Sequence, residues 1–134
     1  MSKQQERAVA LYTQGSSCSQ AIFSAYSETY GFDDALSHRL CSGLGGGLGG
    51  KGYVCGAISG AVLVLGLAYG NESNKNILSK EAMSERTARF INDCETLYGT
   101  SQCAALVEGL ETHKEFCGKL ISQVCEKLEK ALSS

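Results

Sequence analysis

The chain has 134 residues, with 12 Lys and Arg against 14 Asp and Glu, a net charge of −2, 16 glycines, seven cysteines and neither proline nor tryptophan. That length fits one domain, residues 1–134, able to bury a core without staples, and a chain without proline favours helices, whose interiors exclude it. Scattered basic residues with no Lys/Arg stripe argue against nucleic-acid binding, and an odd cysteine count fits a closed disulfide framework poorly.

The start, MSKQQERAVALYTQG, has neither the apolar run of a signal peptide nor a twin arginine, which predicts a cytoplasmic protein. Thiols there are reduced, so the cysteines are expected free, metal-bound or catalytic. Residues 3–14 predict a first helix with Ala8, Val9, Leu11 and Tyr12 as apolar positions, ended by Gly15. Ser16 and Ser17 offer an N-cap for a second helix, CSQAIFSAYSETYG, stopped by Gly31. Cys18 then falls in a first turn, where the helix dipole favours a thiolate. Asp33 or Asp34 can cap a third helix, ALSHRLCSGL, with His38 and Cys41 on one face.

Seven of the ten residues 43–52 are glycine. The run spells GxGxxG (Gly45, Gly47, Gly50) and most of a P-loop (Gly45 to Lys51), but Gly52 stands where a P-loop needs Ser or Thr. The stretch before it is polar and helix-like where both motifs require an apolar strand. A fourth helix is expected from about Tyr53 to Tyr69, with Cys55 in its first turn and no charge until Glu72. Being apolar on nearly all sides, it should be the buried centre of the fold. It is marginal in length for a membrane span, and its Gly56-x-x-x-Gly60 spacing serves close packing in a buried helix as well as in a bilayer. A polar turn follows at Asn71–Asn74, then a fifth helix from about Asn76 to Tyr98 carrying Cys94. A short helix CAALVEGL begins at Cys103. A last helix is capped by Thr112 with Glu115 three residues on; it carries Cys117, four residues after His113, and Cys125. The fold class is therefore all-α, a single-domain bundle whose central apolar helix, about residues 53–70, is wrapped by amphipathic ones.

No CxxC pair is present, so neither a zinc knuckle nor a bacterial ferredoxin motif is supported; a metal site would have to be assembled from separate helices. Cys94 and Cys125 read as mid-helix core residues. Each His–Cys pair could supply two ligands, though a surface histidine beside a core cysteine explains the spacing as well. No histidine has the setting of a base for a nucleophilic cysteine, and no Ser–His–Asp pattern supports hydrolysis.

With its cysteines placed, the chain resembles the C_GCAxxG_C_C family of small bacterial and archaeal redox-active proteins over almost its whole length. The CGAxxG signature stands at Cys55–Gly60, after GLGGGLGGKGYV and before AVLVLGLAYG; the outer cysteines match Cys18 (SSCSQAIFSAY), Cys103 (GTSQCAAL) and Cys117 (EFCGKLISQV), with Cys125 competing for the last place. The resemblance implies that Cys18, Cys55, Cys103 and Cys117 act together, as the catalytic thiols of an oxidoreductase or electron-transfer component, or as ligands of an iron–sulfur cluster or other thiolate-bound metal. It implies a redox partner protein without saying which. Under this reading Gly45, Gly47, Gly50 and Gly52 let the chain approach that cofactor site, and Gly56 and Gly60 let a neighbouring helix pack closely. The alternative is a non-catalytic binding or assembly module, with structural core cysteines and an apolar helix that supports a homo-oligomer.

Overall fold

The computed structural model describes residues 1–72 and 77–133, the side chain of Ile77 excepted. Among them the chain forms α1 (Lys3–Thr13), α2 (Cys18–Ser27), a 3-10 turn (Glu28–Tyr30), α3 (Asp34–Cys41), α4 (Gly56–Tyr69), α5 (Ile77–Tyr98), α6 (Cys103–Leu106) and α7 (Lys114–Leu132), with no strand. The all-α fold read from the sequence is the one adopted. No helix of the described residues is long and apolar enough to cross a membrane. The expected start of α5 at Asn76 and the second half of the Asn71–Asn74 turn lie outside the described residues.

Helix boundaries follow local chemistry. Ser17 caps α2 in a reciprocal box: its hydroxyl accepts from the Gln20 amide, and Gln20 Oε1 accepts from the Ser17 N–H at 3.0 Å. Gly31 ends the following turn at φ 87°, a conformation that costs a side-chain-bearing residue about 1 kcal/mol or more. Asp33 Oδ1 accepts from the Leu36 amide at 2.8 Å to start α3. The Thr112–Glu115 box expected for α7 does not form: the helix begins at Lys114 with His113 at the N-cap and no side-chain cap bond.

The core gathers Ile22 of α2, Ile58, Val64 and Leu65 of α4, and Ile121, Val124 and Leu128 of α7. α4 is apolar along its length and packs on α2, α5 and α7. Yet it is not covered on every side, since Leu63 remains 40% exposed. The more enclosed helix is α2, held between α1, α3, α4 and α7, with eight buried residues from Ser19 to Ser27. What joins α2 to α4 is small: a Cβ at Gly60 would lie 2.8 Å from the Ser19 carbonyl oxygen. The Gly56-x-x-x-Gly60 spacing thus serves close approach of two helices in a globular core.

Candidate functional site

The glycine run after α3 is a coil wound through left-handed conformations at Gly46, Gly47, Gly49 and Gly50, with Leu48 at φ 69°. It closes on itself, the Gly52 amide donating to the Gly46 carbonyl and the Tyr53 amide to the Gly47 carbonyl, each at 3.0 Å. At Gly47 no side chain fits: a Cβ would run into the Tyr53 amide and lie 2.7 Å from the Gly52 carbonyl carbon. Two further contacts turn this coil into a clamp on distant cysteine segments. Gly45 rests against the Ser17 side chain, next to Cys18, and a Cβ on Gly52 would sit 2.8 Å from the Ala104 Cβ, next to Cys103. Gly56 backs onto Cys18 itself, 3.4 Å from its Cβ to where a Cβ would stand. Gly50 has no neighbour within 4 Å and is required by its φ of +75° alone.

Residues 52–55 leave the coil extended, so α4 starts at Gly56 and Cys55 is its N-cap rather than a first-turn residue. The reason is a short antiparallel pairing with 101–104, around an isolated bridge between Val54 and Gln102. The Cys55 amide donates to the Ser101 carbonyl at 2.8 Å, the Cys103 amide to the Tyr53 carbonyl at 2.6 Å and the Ala104 amide to the Gly52 carbonyl at 3.1 Å. Cys55, opposite Ser101, and Cys103, opposite Tyr53, thereby fall on one face of the pairing, diagonally across it, although 47 residues separate them. Cys18 opens α2 beside them. Cys117 completes the group from α7, its amide donating to the His113 carbonyl at 2.8 Å.

The four thiols share one electrostatic neighbourhood: each of the six pairs among Cys18, Cys55, Cys103 and Cys117 interacts through charge. Cys18 and Cys117 are the two thiols that influence each other most, both sulfurs free. Their proton is unevenly shared. The Cys18 thiol donates to Cys117, and that bond with burial pushes Cys18 far up. Cys117 is lowered to about 6 from an ordinary 9.0, first by the Cys18 thiol and then, against the cost of burial, by His113 and the Tyr12 hydroxyl. The Cys117 Sγ lies 3.5 Å from His113 Nδ1. The two sulfurs titrate as a pair, the first proton leaving easily and the second hardly.

This corrects an expectation. Cys18, at a helix start, was expected to gain acidity from the dipole, yet it is shifted up, and so are Cys55 and Cys103, which also stand at helix starts. At Cys55 the Ala57 and Ile58 amides do favour the thiolate, but burial outweighs them. A helix N-terminus is worth about 0.3–1 kcal/mol at a surface, less than the cost of removing a thiolate from water. The thiol shifted down is the one with three donors.

The remaining cysteines are core residues, Cys94 lying close enough to Cys55 to feel its charge. Cys41, Cys94 and Cys125 lie in the apolar core and burial raises them, to about 11, 12 and 12. His38 does not partner Cys41; its nitrogens take Ser16 Oγ at 2.7 Å and Ser24 Oγ at 3.1 Å. Tyr12, read from sequence as one of the apolar positions of α1, holds its own proton more tightly through burial and the nearby Cys18 and Cys117 charge. A tyrosine at the end of an apolar stripe gives no sequence signal for such a neighbourhood. Among the described residues, no three His, Cys, Asp or Glu side chains are disposed to hold a metal ion.

Comparison with known proteins gives one family match, described as "Putative redox-active protein (C_GCAxxG_C_C)", over residues 16–131. No curated protein and no solved structure matches the chain.

Proposed function

Because the chain belongs to the C_GCAxxG_C_C family, we propose that it is a thiol–disulfide redox protein in which Cys117 attacks and Cys18 resolves. What supports this most is the opposite pull on those two thiols, Cys117 lowered by its neighbours and Cys18 retaining its proton, beside the 3.5 Å approach of His113 Nδ1 to the Cys117 sulfur. The Cys117 thiolate attacks one sulfur of a partner disulfide, R–S–S–R′, and displaces R′–S⁻. Cys18 then loses its proton and attacks the Cys117 sulfur, breaking the mixed disulfide and releasing R–S⁻. The partner gains two electrons, the pair loses two in becoming a disulfide, and the Cys18 proton passes to a released thiolate. Cys55 and Cys103 add two more sulfurs within the same electrostatic neighbourhood.

Four thiolates are also the donor set that soft metals and iron–sulfur clusters take. As the side chains stand, no three of them form a metal-holding group, so no step is derived through a metal. One preparation separates the two chemistries. The protein is purified anaerobically, analysed for iron, sulfide and zinc, then equilibrated in glutathione buffers and mapped for disulfides by mass spectrometry. A Cys18–Cys117 disulfide in metal-free protein is the expected result. Stoichiometric metal with all four thiols protected, or seven thiols that never pair, overturns the proposal.

A further inference from the structure

Cations that the sequence scatters are gathered by the fold along one groove. Arg86 and Arg89 stand one turn apart on α5, and Lys127 and Lys130 one turn apart on α7. The two helices are tied together by Tyr98, whose hydroxyl donates to Gln123 Oε1 at 2.8 Å, and by the Lys127–Asp93 ion pair at 3.2 Å. Beyond that tie, toward the start of α5, they leave a groove of about 420 Å³ between Arg86, Arg89, Phe90 and Asp93 of α5 and Lys130 and Ala131 of α7. Among the described residues no cysteine lines it.

The floor is apolar: Phe90 is buried and Ala131 packs against the core. The rim is cationic. Among the described residues that line the groove the one acid is Asp93, which Lys127 and Lys130 already hold, the latter at 4.0 Å. The Arg86 guanidinium lies over the Tyr69 ring, 3.6 Å from its centroid, which fixes where its charge sits. Arg89 is exposed and, among the described residues, enters no ion pair. Three lining cations against one carboxylate make the groove locally positive on a chain whose net charge is −2.

We propose that this groove binds a small organic anion, a carboxylate or phosphate carried on an aromatic or aliphatic body. Its wall selects both parts. An inorganic ion gains little from an apolar floor, and a neutral apolar molecule leaves the cations unused. Arg89 presents a planar fork that meets either oxyanion with parallel N–H donors. Lys130 adds a point charge, and Phe90 and Ala131 take the apolar body. The volume suits such a ligand, since small-molecule sites run from about 300 to 1,000 Å³. This goes beyond the redox reading and does not depend on it.

The test is titration of the isotope-labelled intact protein with phenyl phosphate, 3-phenylpropanoate, inorganic phosphate and benzyl alcohol, followed through backbone amide shifts. Saturable shifts are expected at Phe90, Asp93 and Ala131 with at least one of the two aromatic anions, the tighter of them naming the charged group. Inorganic phosphate, which lacks the apolar contact, should bind at least about fivefold more weakly, and benzyl alcohol should not saturate. Arg89→Gln should weaken the aromatic anion roughly tenfold, the worth of a hydrogen bond to a charged group. Lys119→Gln, exposed on α7 outside the groove, should leave it unchanged. Shifts that stay away from the groove, inorganic phosphate binding as tightly as the aromatic anions, or an Arg89→Gln protein that binds like wild type each overturn the proposal.

Discussion

The cysteines of this chain occupy two kinds of interior. Cys41 and Cys125 are fully buried and Cys94 nearly so, at 3% exposed; Cys55 and Cys117 are scarcely more open, at 4% and 6%. Burial alone does not distinguish the groups. In the first, sulfur faces the apolar core, burial is the largest influence, and the thiol stays protonated. In the second, sulfurs face one another, and one of them, Cys117, gathers donors from α2, α1 and the N-terminus of α7. A buried thiol becomes reactive through its partners; depth and a place at a helix start are not enough.

The sharpest way to break that comparison is to remove sulfur from each interior in turn. Cys18→Ser or Cys117→Ser should abolish the intramolecular disulfide in glutathione buffer altogether. Cys94→Ala should leave it in place, since Cys94 sits in the core behind the site. A disulfide that survives Cys117→Ser, mapped to another pair, would shift the redox centre to Cys55 and Cys103.

The glycine coil carries the next largest effect, because it holds the second interior together. Gly47→Ala forces a side chain into the Tyr53 and Gly52 backbone at φ +74°. Left-handed strain of about 1–2 kcal/mol adds to overpacking of about 1–3 kcal/mol. The urea-derived stability should therefore fall by roughly 2–5 kcal/mol. Gly49→Ala is the matched control: its φ is +60° with nothing within 4 Å, so strain alone remains, about 1–2 kcal/mol. Equal losses at the two positions would mean that the coil does not close as described.

A smaller difference separates serine substitutions in the two interiors. Cys41→Ser buries a hydroxyl where the thiol is wholly enclosed and should cost about 1–3 kcal/mol. Cys103→Ser is half-exposed and should stay within about 0.5 kcal/mol of wild type. Thermal or urea unfolding of the two variants side by side measures the contrast.

How much of this was legible in the sequence follows the range of the interactions involved. Caps are local, so a serine cap at Ser16 or Ser17, the stop at Gly31 and the helix starts at Cys18 and Cys103 could be read directly. Gly56 and Gly60 announced a close approach, though not that Ser19 of α2 was the neighbour. The pairing of 52–55 with 101–104 was not readable: it involves a few residues on each side, no alternation and two helices, α4 and α5, between them. It is nonetheless what sets Cys55 and Cys103 on one face of the pairing and delays the start of α4. The Thr112–Glu115 pattern misled because a capping box competes with any other chain path into the helix, and here His113 takes the N-cap. The pull of the helix dipole was read correctly in sign. Its failure to set the pKa values reflects desolvation, which depends on how many neighbours close over each sulfur.

The smallest effect is also the most specific to the contrast between the two interiors. At pH 7 a thiol titrating at about 6 is largely thiolate, whereas one at the ordinary 9.0 is about 1% thiolate, nearly a hundredfold difference. Nucleophilicity falls as pKa falls, with a Brønsted slope near 0.4–0.5, and returns about twentyfold of that. Cys117 should therefore be alkylated by iodoacetamide only about fivefold faster at pH 7 than an equally accessible ordinary thiol, and burial narrows the gap further. The pH profile is more telling than the rate. A lowered pKa means that the thiolate is present above about 6 and lost as the pH falls through it. Labelling of Cys117, followed by mass spectrometry from pH 5 to 10, should thus reach half its maximum near pH 6 and flatten by pH 8. Labelling of Cys103, shifted up by burial, should still be rising at pH 9. If Cys117 rises alongside Cys103 throughout, its donors do not hold a thiolate, and the two interiors differ in crowding rather than in chemistry.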